Sequence, residues 1–161
     1  MAKAACFPEM HPIISALTPQ AASTCADAAA WVNLENAEGV TIVVQHGGTA
    51  DNDVVLTVHE GTAASGTTAI TTGAEFKIWA NAATATSDAL VKQTDGITYT
   101  INSDAGGAYL IVMYVPASIL TDGYKYIQLG TDAGHASNWI SAIYIIDGAR
   151  YQQATPPTYI V

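Results

Sequence analysis

Short apolar runs separated by glycine-containing turns recur along most of the chain. The runs are rich in Val, Ile, Thr and Tyr, which favour strands, and none continues with the ~3.6-residue period of a long amphipathic helix. The spacing of the turns predicts eight strands, Trp31–Leu34, Val40–His46, Val54–Glu60, Glu75–Ala80, Thr98–Asn102, Tyr109–Val115, Tyr124–Leu129 and Ser141–Asp147.

This pattern indicates an all-β protein, an antiparallel β-sandwich of jelly-roll-like type, with a closed barrel as the alternative. The runs Ile42–Val44 and Val54–Leu56 are continuously apolar. Such runs are typical of strands covered on both faces, either within the domain or by a neighbouring subunit. We assign residues 27–161 to one sandwich domain that ends in a short C-terminal tail.

Residues 1–26 do not follow the strand pattern. The segment is rich in Ala, Pro and Ser, and Pro8, Pro12 and Pro19 interrupt it. Proline fixes φ and removes a hydrogen-bond donor, so we interpret this segment as an extended N-terminal arm, with a short helical turn near Ala21–Ala30. The arm either packs on a partner or is a disordered terminus.

The charge balance narrows the range of partners. The 161 residues include 14 acidic and 5 basic side chains, which gives a net charge of −9. Nucleic acids and anionic membranes are bound by clustered Lys and Arg, which this chain lacks, so we expect neither as a partner.

We find no apolar run of about 20 residues and no signal-peptide core at the start. We therefore expect synthesis in a reducing cytoplasm, with Cys6 and Cys25 as free thiols.

Residues suited to catalysis or metal binding are scattered. The oxygen-rich run 51–53, Asp-Asn-Asp, lacks the rest of a calcium loop and is better interpreted as a turn. The 4 histidines and 2 cysteines show no zinc-type spacing. His135 lies near Ser137, but no G-x-S-x-G motif occurs, and the pair Glu35 and Glu38 is typical of a surface turn. We predict no enzyme, no cofactor and no metal.

Aromatic residues are the candidates for an interface, because Tyr and Trp bury a large area and keep a polar tip. We predict that Trp31 and Trp79 lie in the core. Trp139 follows Asn138 in a loop of small residues, where exposure is expected. The C-terminal tail contains two consecutive prolines and ends in apolar residues that are expected to dock. The candidate oligomer contacts are Trp139, Tyr151, Tyr159 and Ile160.

Four stretches, in their order along the chain, carry a resemblance to a known family. They are Val40–Gln45, Val54–Glu60, Tyr124–Leu129 and Ile143–Tyr151. Together they resemble the jelly-roll decoration (cement) proteins of tailed bacteriophages, which sit on the outside of a capsid, usually as trimers. The resemblance spans roughly residues 31–153 and leaves out the N-terminal arm.

The resemblance implies a non-enzymatic virion protein, made in the host cytoplasm and located on the capsid exterior. It would bind the major capsid protein as a homotrimer and stabilise the expanded shell by binding only that state. We expect the arm to lie on the capsid. One way for it to bind would be strand addition, in which the arm extends a β-sheet of the capsid protein. The candidate capsid-binding residues are Ala2, Lys3, Phe7, Met10, Ile13, Ile14 and Leu17. The alternatives are another virion subunit, of the tail or of a head fibre, and a carbohydrate-binding β-sandwich module.

Overall fold

The computed structural model describes residues 6–48, 50, 52–71, 73–102 and 107–148, and these form two antiparallel β-sheets. A four-residue helix, α1 (Phe7–Met10), comes first. The strands are β1 (Ile13–Ala21), β2 (Trp31–Asn33), β3 (Gly39–Gly47), β4 (Val54–Gly61), β5 (Lys77–Asn81), β6 (Val91–Lys92), β7 (Thr98–Ile101), β8 (Tyr109–Pro116), β9 (Tyr126–Thr131) and β10 (Trp139–Asp147). Two short 3-10 turns, Ala22–Thr24 and Ala117–Ile119, follow β1 and β8.

The strand order is that of a jelly roll. The six-stranded sheet has the order β1-β10-β3-β8-β5-β6, and the four-stranded sheet has the order β2-β9-β4-β7. β5 and β6 extend one edge of the larger sheet, and the remaining strands form two facing sheets of four with Greek-key connections. The predicted antiparallel sandwich is confirmed, and the closed barrel is not the architecture.

All eight predicted strands are present, with boundaries that differ from the prediction by no more than two residues. The helical turn predicted near Ala21–Ala30 is present as the 3-10 turn Ala22–Thr24. Two strands, β1 and β6, are not among the predicted ones. β6 contains only two residues and pairs with β5 alone, so its sequence carries no period that could reveal it.

β1 corrects the interpretation of residues 1–26 as an arm outside the sandwich. It pairs antiparallel with β10, from Ile13 opposite Ile145 to Ala21 opposite Trp139. The sandwich therefore begins at Ile13. The register with β10 is irregular on both sides of Leu17, so the alternation of inward and outward residues is broken there. Because β1 is an edge strand, its outward N–H groups need no partner strand, and Pro19 is tolerated.

The core lies between the two sheets. Inward and outward residues alternate along β8 and β10, and the inward ones, such as Ile111 and Tyr144, are buried. Each fully buried aliphatic or aromatic side chain contributes roughly 1.5–3 kcal/mol. Cys25 is a buried thiol whose Sγ lies 3.0 Å from the carbonyl oxygen of Ala22. Because the interior is packed, a binding site would lie on the outer sides of the two sheets.

Candidate functional site

The structure brings three of the candidate capsid-binding residues to the surface. Phe7, Met10 and Ile13 are exposed, and Ile13 lies opposite Ile145 at the edge of the larger sheet. The short helix is tied to that sheet by His11, whose Nδ1 lies 3.3 Å from Asp147 Oδ1. The ring of Phe7 stacks on that of His11 with centroids 4.7 Å apart. The start of the described chain is therefore anchored beside β10.

Two other candidates for capsid binding are core residues, and their prediction is wrong. Ile14 is 8% exposed and Leu17 is 3% exposed, and both belong to the main hydrophobic core. Their side chains point inward because β1 is a strand of the sandwich. In a free arm, side chains on both sides would be available for binding. The candidates Ala2 and Lys3 lie outside the described residues.

Trp139, at the start of β10, is 59% exposed, in agreement with its predicted exposure. It lies beside a hollow of about 250 Å³ that is also lined by Pro19, Gln45 and Ser141. The other candidate oligomer contacts, Tyr151, Tyr159 and Ile160, lie outside the described residues.

The prediction that Trp31 and Trp79 are core residues is wrong, because both are only partly buried. Trp79 occupies the side of β5 that faces away from the core, and the ammonium group of Lys92 lies 5.2 Å from the centroid of its ring. The ring of Trp31 lies beside Gly61 on the four-stranded sheet, since a Cβ at that glycine would come within 3.5 Å of Trp31 Cζ3. Their size suggested burial, but both lie at outward positions of their strands.

Apolar side chains cover the side of the six-stranded sheet that faces away from the core, which we call the outer face. Two neighbouring rows cross it, and neither contains an acidic residue. The first row is Ser15, Ile143, Val43, Val112, Trp79 and Lys92, and the second is Ile13, Ile145, Thr41, Tyr114 and Lys77. The continuous apolar runs in β3 and β10 are the sequence signal for this face.

Acidic groups lie at one end of the outer face. Asp147 Oδ2 accepts a hydrogen bond of 2.7 Å from the hydroxyl of Thr41. Burial raises the pKa of the Tyr114 hydroxyl, and the nearby carboxylates of Asp147 and Glu38 raise it further. On this face the carboxylates of Asp147 and Glu38 therefore lie at one end, and the two rows contain no acidic side chain.

The outer side of the four-stranded sheet contains a depression of about 590 Å³. Its lining includes His59 on β4, Gly130 on β9 and Asp27 from the loop after β1. His59 Nδ1 lies 3.6 Å from Asp27 Oδ1 and 3.5 Å from Gln128 Oε1. Sequence reasoning did not find this cluster, because its members come from distant segments and no motif joins them.

A second histidine, His46 on β3, faces the core. It is 4% exposed, and neither ring nitrogen has a hydrogen-bond partner among the described residues. Its ring meets that of Tyr109 edge to face, with centroids 6.0 Å apart. Burial lowers the pKa of His46 below its usual value. His46 and His59 belong to different sheets, so they do not form a joint metal site.

Within the described residues, no three or more His, Cys, Asp or Glu side chains group in a way that could hold a metal ion. The same part of the chain contains no helix with the length and apolar character needed to cross a membrane. Comparison with protein-family models, with characterised proteins and with solved structures finds no match to this chain. The outer sides of the two sheets are therefore the candidate functional surfaces.

Proposed function

We propose that the chain is a non-catalytic structural protein of a virion, which binds the exterior of a phage capsid and associates as a homotrimer. The observation that carries this proposal is the outer face, whose two rows include Ile143, Val43, Val112, Ile145 and Trp79 and contain no acidic residue. Monomeric soluble proteins rarely expose large contiguous apolar patches, and such patches mark sites of protein contact. This face is therefore the surface that we assign to a protein partner.

The electrostatics of the chain favour the same surface for contact between copies. With a net charge of −9, copies repel each other wherever carboxylates face carboxylates. The central rows of the outer face avoid this repulsion, and burying them contributes roughly 25 cal/mol per Å² of apolar surface. A contact centred on Ile143 and Trp139 combines an exposed aliphatic side chain with an exposed aromatic one.

The exposed patch of Phe7, Met10 and Ile13 supports a separate contact with the capsid protein. Ile13 ends the second row of the outer face at the edge strand β1, so Phe7 and Met10, which precede it, are reachable when the centre of that face is occupied by other copies. A trimer that binds several capsid subunits only in the assembled shell stabilises that shell by mass action.

Capsid binding through side chains fits the structure better than strand addition. One edge of β1 is already paired with β10. On the other edge, Pro19 and the irregular register on either side of Leu17 interrupt the row of backbone groups that an added strand would need. We therefore propose that Phe7, Met10 and Ile13 insert into apolar recesses of the partner.

Light scattering across a dilution series tests the self-association. We expect a mass of three chains for the unmodified protein. Ile143→Glu should lower this mass, because it buries an unpaired carboxylate at the contact. Thr100→Glu, an exposed position on β7 of the opposite sheet, adds the same charge and should leave the mass unchanged. A monomeric mass for the unmodified protein, or equal behaviour of the two variants, would overturn the trimer.

The capsid role is tested on particles isolated from the source that encodes the chain. Immunogold labelling and electron microscopy should place the protein on the shell. Label on the tail or on a head fibre would assign the protein to that structure. Particles without label would contradict the virion proposal. Replacing both Phe7 and Met10 by Ser should remove it from the shell while the light-scattering mass stays at three chains.

A carbohydrate-binding module is the second candidate, because one observation favours it. The exposed ring of Trp139 lies beside the amide of Gln45 and the hydroxyl of Ser141, around a hollow of about 250 Å³. An aromatic ring with neighbouring polar groups suits a sugar ring. A glycan array with wild-type protein and Trp139→Ala decides this, since signals that the substitution abolishes would support sugar binding.

A further inference from the structure

The depression on the four-stranded sheet has a glycine floor. Thr57 on β4 lies opposite Gly130 on β9, and the missing side chain at Gly130 leaves room for the ring of His59. The ring of His59 leans over it, since a Cβ at Gly130 would come within 2.4 Å of His59 Cε1. The depression belongs to the sheet opposite the outer face, so the proposed function does not use it.

Two carboxylates, those of Asp27 and Asp132, line the depression. Asp27 Oδ1 faces the His59 end, while the backbone N–H of Asp27 donates to the carbonyl of Thr131 at 3.1 Å. Asp132 lies two residues beyond Gly130, about 6.8 Å along the strand direction. Its Oδ1 accepts a hydrogen bond of 2.7 Å from the backbone N–H of Val55. The second oxygen of Asp132 has no partner among the described residues.

His59 supplies a further acceptor. The residue is only 8% exposed, and its Nδ1 faces two acceptor oxygens, those of Asp27 and Gln128. When the imidazole is neutral, its ring proton is assigned to Nδ1, which leaves Nε2 as an acceptor. Nε2 has no partner in the described part of the chain, and His59 lines the depression.

We propose that this depression binds a guanidinium group, presented by an arginine side chain of a partner protein. The described lining contains two carboxylates and an acceptor imidazole but no Lys or Arg, so it attracts a cation and repels an anion. Guanidinium is planar, carries only donors and presents them in several directions. It can therefore donate to more than one acceptor of the lining at once, which suits this lining better than the compact ammonium group of a lysine.

An NMR titration of the isotope-labelled full chain tests the proposal. The probe is N-acetylarginine amide, whose blocked ends leave guanidinium as its only charge. The matched probe is N-acetylcitrulline amide, which has the same shape and no charge. We expect the arginine probe to shift the backbone amides of Thr57, Gly130 and Thr131 with a dissociation constant on the order of 1 mM, and the citrulline probe to shift them little.

Three variants locate the site. Asp27→Asn and Asp132→Asn keep an acceptor oxygen but lose the charge, and each should weaken binding of the arginine probe about tenfold. Asp122→Asn removes an exposed carboxylate from a turn outside the depression and should not change binding. Equal binding of the two probes, unchanged affinity in both site variants, or unaffected amides in the depression would each overturn the proposal.

The same titration is repeated with a neutral methyl glycoside as a third probe. If it shifts these amides and the arginine probe does not, the site takes a hydroxyl-rich ligand and the proposal fails. The measurement uses the depression of the isolated protein alone. Its failure is therefore distinguishable from failure of the capsid and trimer proposal, which rests on the other sheet.

Discussion

The hydroxyl of Tyr144 bridges the backbones of Leu129 and Ala30. It accepts the N–H of Leu129 at 2.7 Å and donates to the carbonyl of Ala30 at 3.0 Å. The β2–β9 ladder ends at Trp31 opposite Gln128, so Ala30 and Leu129 are the next pair in register. A side chain of the six-stranded sheet thus fills the place of a ladder hydrogen bond in the four-stranded sheet and joins the two layers through the core. Burial raises the pKa of this hydroxyl well above its usual value.

Removing that hydroxyl tests how much the bridge stabilises the sandwich. Tyr144→Phe keeps the ring but leaves a buried N–H and a buried carbonyl without their partner, so we expect a loss of about 1–3 kcal/mol in the free energy of unfolding. Urea unfolding followed by tryptophan fluorescence measures it. Tyr126→Phe, at a half-buried position, is the control and should stay within about 0.5 kcal/mol of wild type. Equal losses in the two variants would contradict the bridging role.

The buried imidazole of His46 predicts that the protein loses stability in mild acid. Burial lowers the folded-state pKa below 6.5, the usual value of a free imidazole, so the unfolded chain takes up the proton more readily than the folded one. The contribution of His46 is therefore fully present above pH 6.5 and decreases as the pH falls below it, by at most about 1.4 kcal/mol per pH unit. Unfolding midpoints in urea between pH 7.5 and 5 measure this slope.

His46→Phe removes the titrating group and keeps an aromatic ring against Tyr109. The variant should show a flatter dependence of stability on pH over the same range. His135→Gln, at an exposed position, is the matched control and should keep the wild-type slope. If His46→Phe and wild type lose stability in parallel, other groups cause the acid sensitivity.

The strands could be predicted from the sequence because most follow one local rule. Between its turns, β8 alternates buried and half-buried positions along its whole length. β1 could not be found in this way, since Pro19 and the irregular register near Leu17 remove the period that identifies a strand. Its membership in the sheet is decided by pairing with β10, which lies at the other end of the chain.

The surfaces could be predicted only in part. The exposure of Trp139 followed from the small residues before it, and the continuous apolar run Ile42–Val44 of β3 includes Val43, which lies on the outer face. The contact between Asp27 and His59 could not be predicted, because it depends on the pairing of β4 with β9 and on the missing side chain at Gly130. Sequence periodicity identifies strands but not which of them become neighbours.

The close approach of His59 to Gly130 predicts a local effect of adding one methyl group. In Gly130→Ala the new Cβ would overlap the imidazole ring, which must turn away from Asp27. We expect a displaced His59 imidazole signal in the NMR spectrum and weaker binding of the arginine probe. Gly47→Ala is the control, because a Cβ there meets no atom within 4 Å. An unchanged His59 signal in Gly130→Ala would show that the ring does not lie over the glycine.

Trp139 is the residue at which the proposed self-association can be tested with least damage to the fold. Because its side chain is largely exposed, Trp139→Ala should change the free energy of unfolding of a single chain by about 0.5 kcal/mol or less. If the ring is buried between copies, its loss should cost about 2 kcal/mol or more of association energy, roughly a 30-fold weaker assembly. Light scattering on dilution measures this, with Leu90→Ala as an exposed apolar control. A trimer that withstands dilution equally well in both variants would remove Trp139 from the interface and leave Ile143 and its neighbours to account for it.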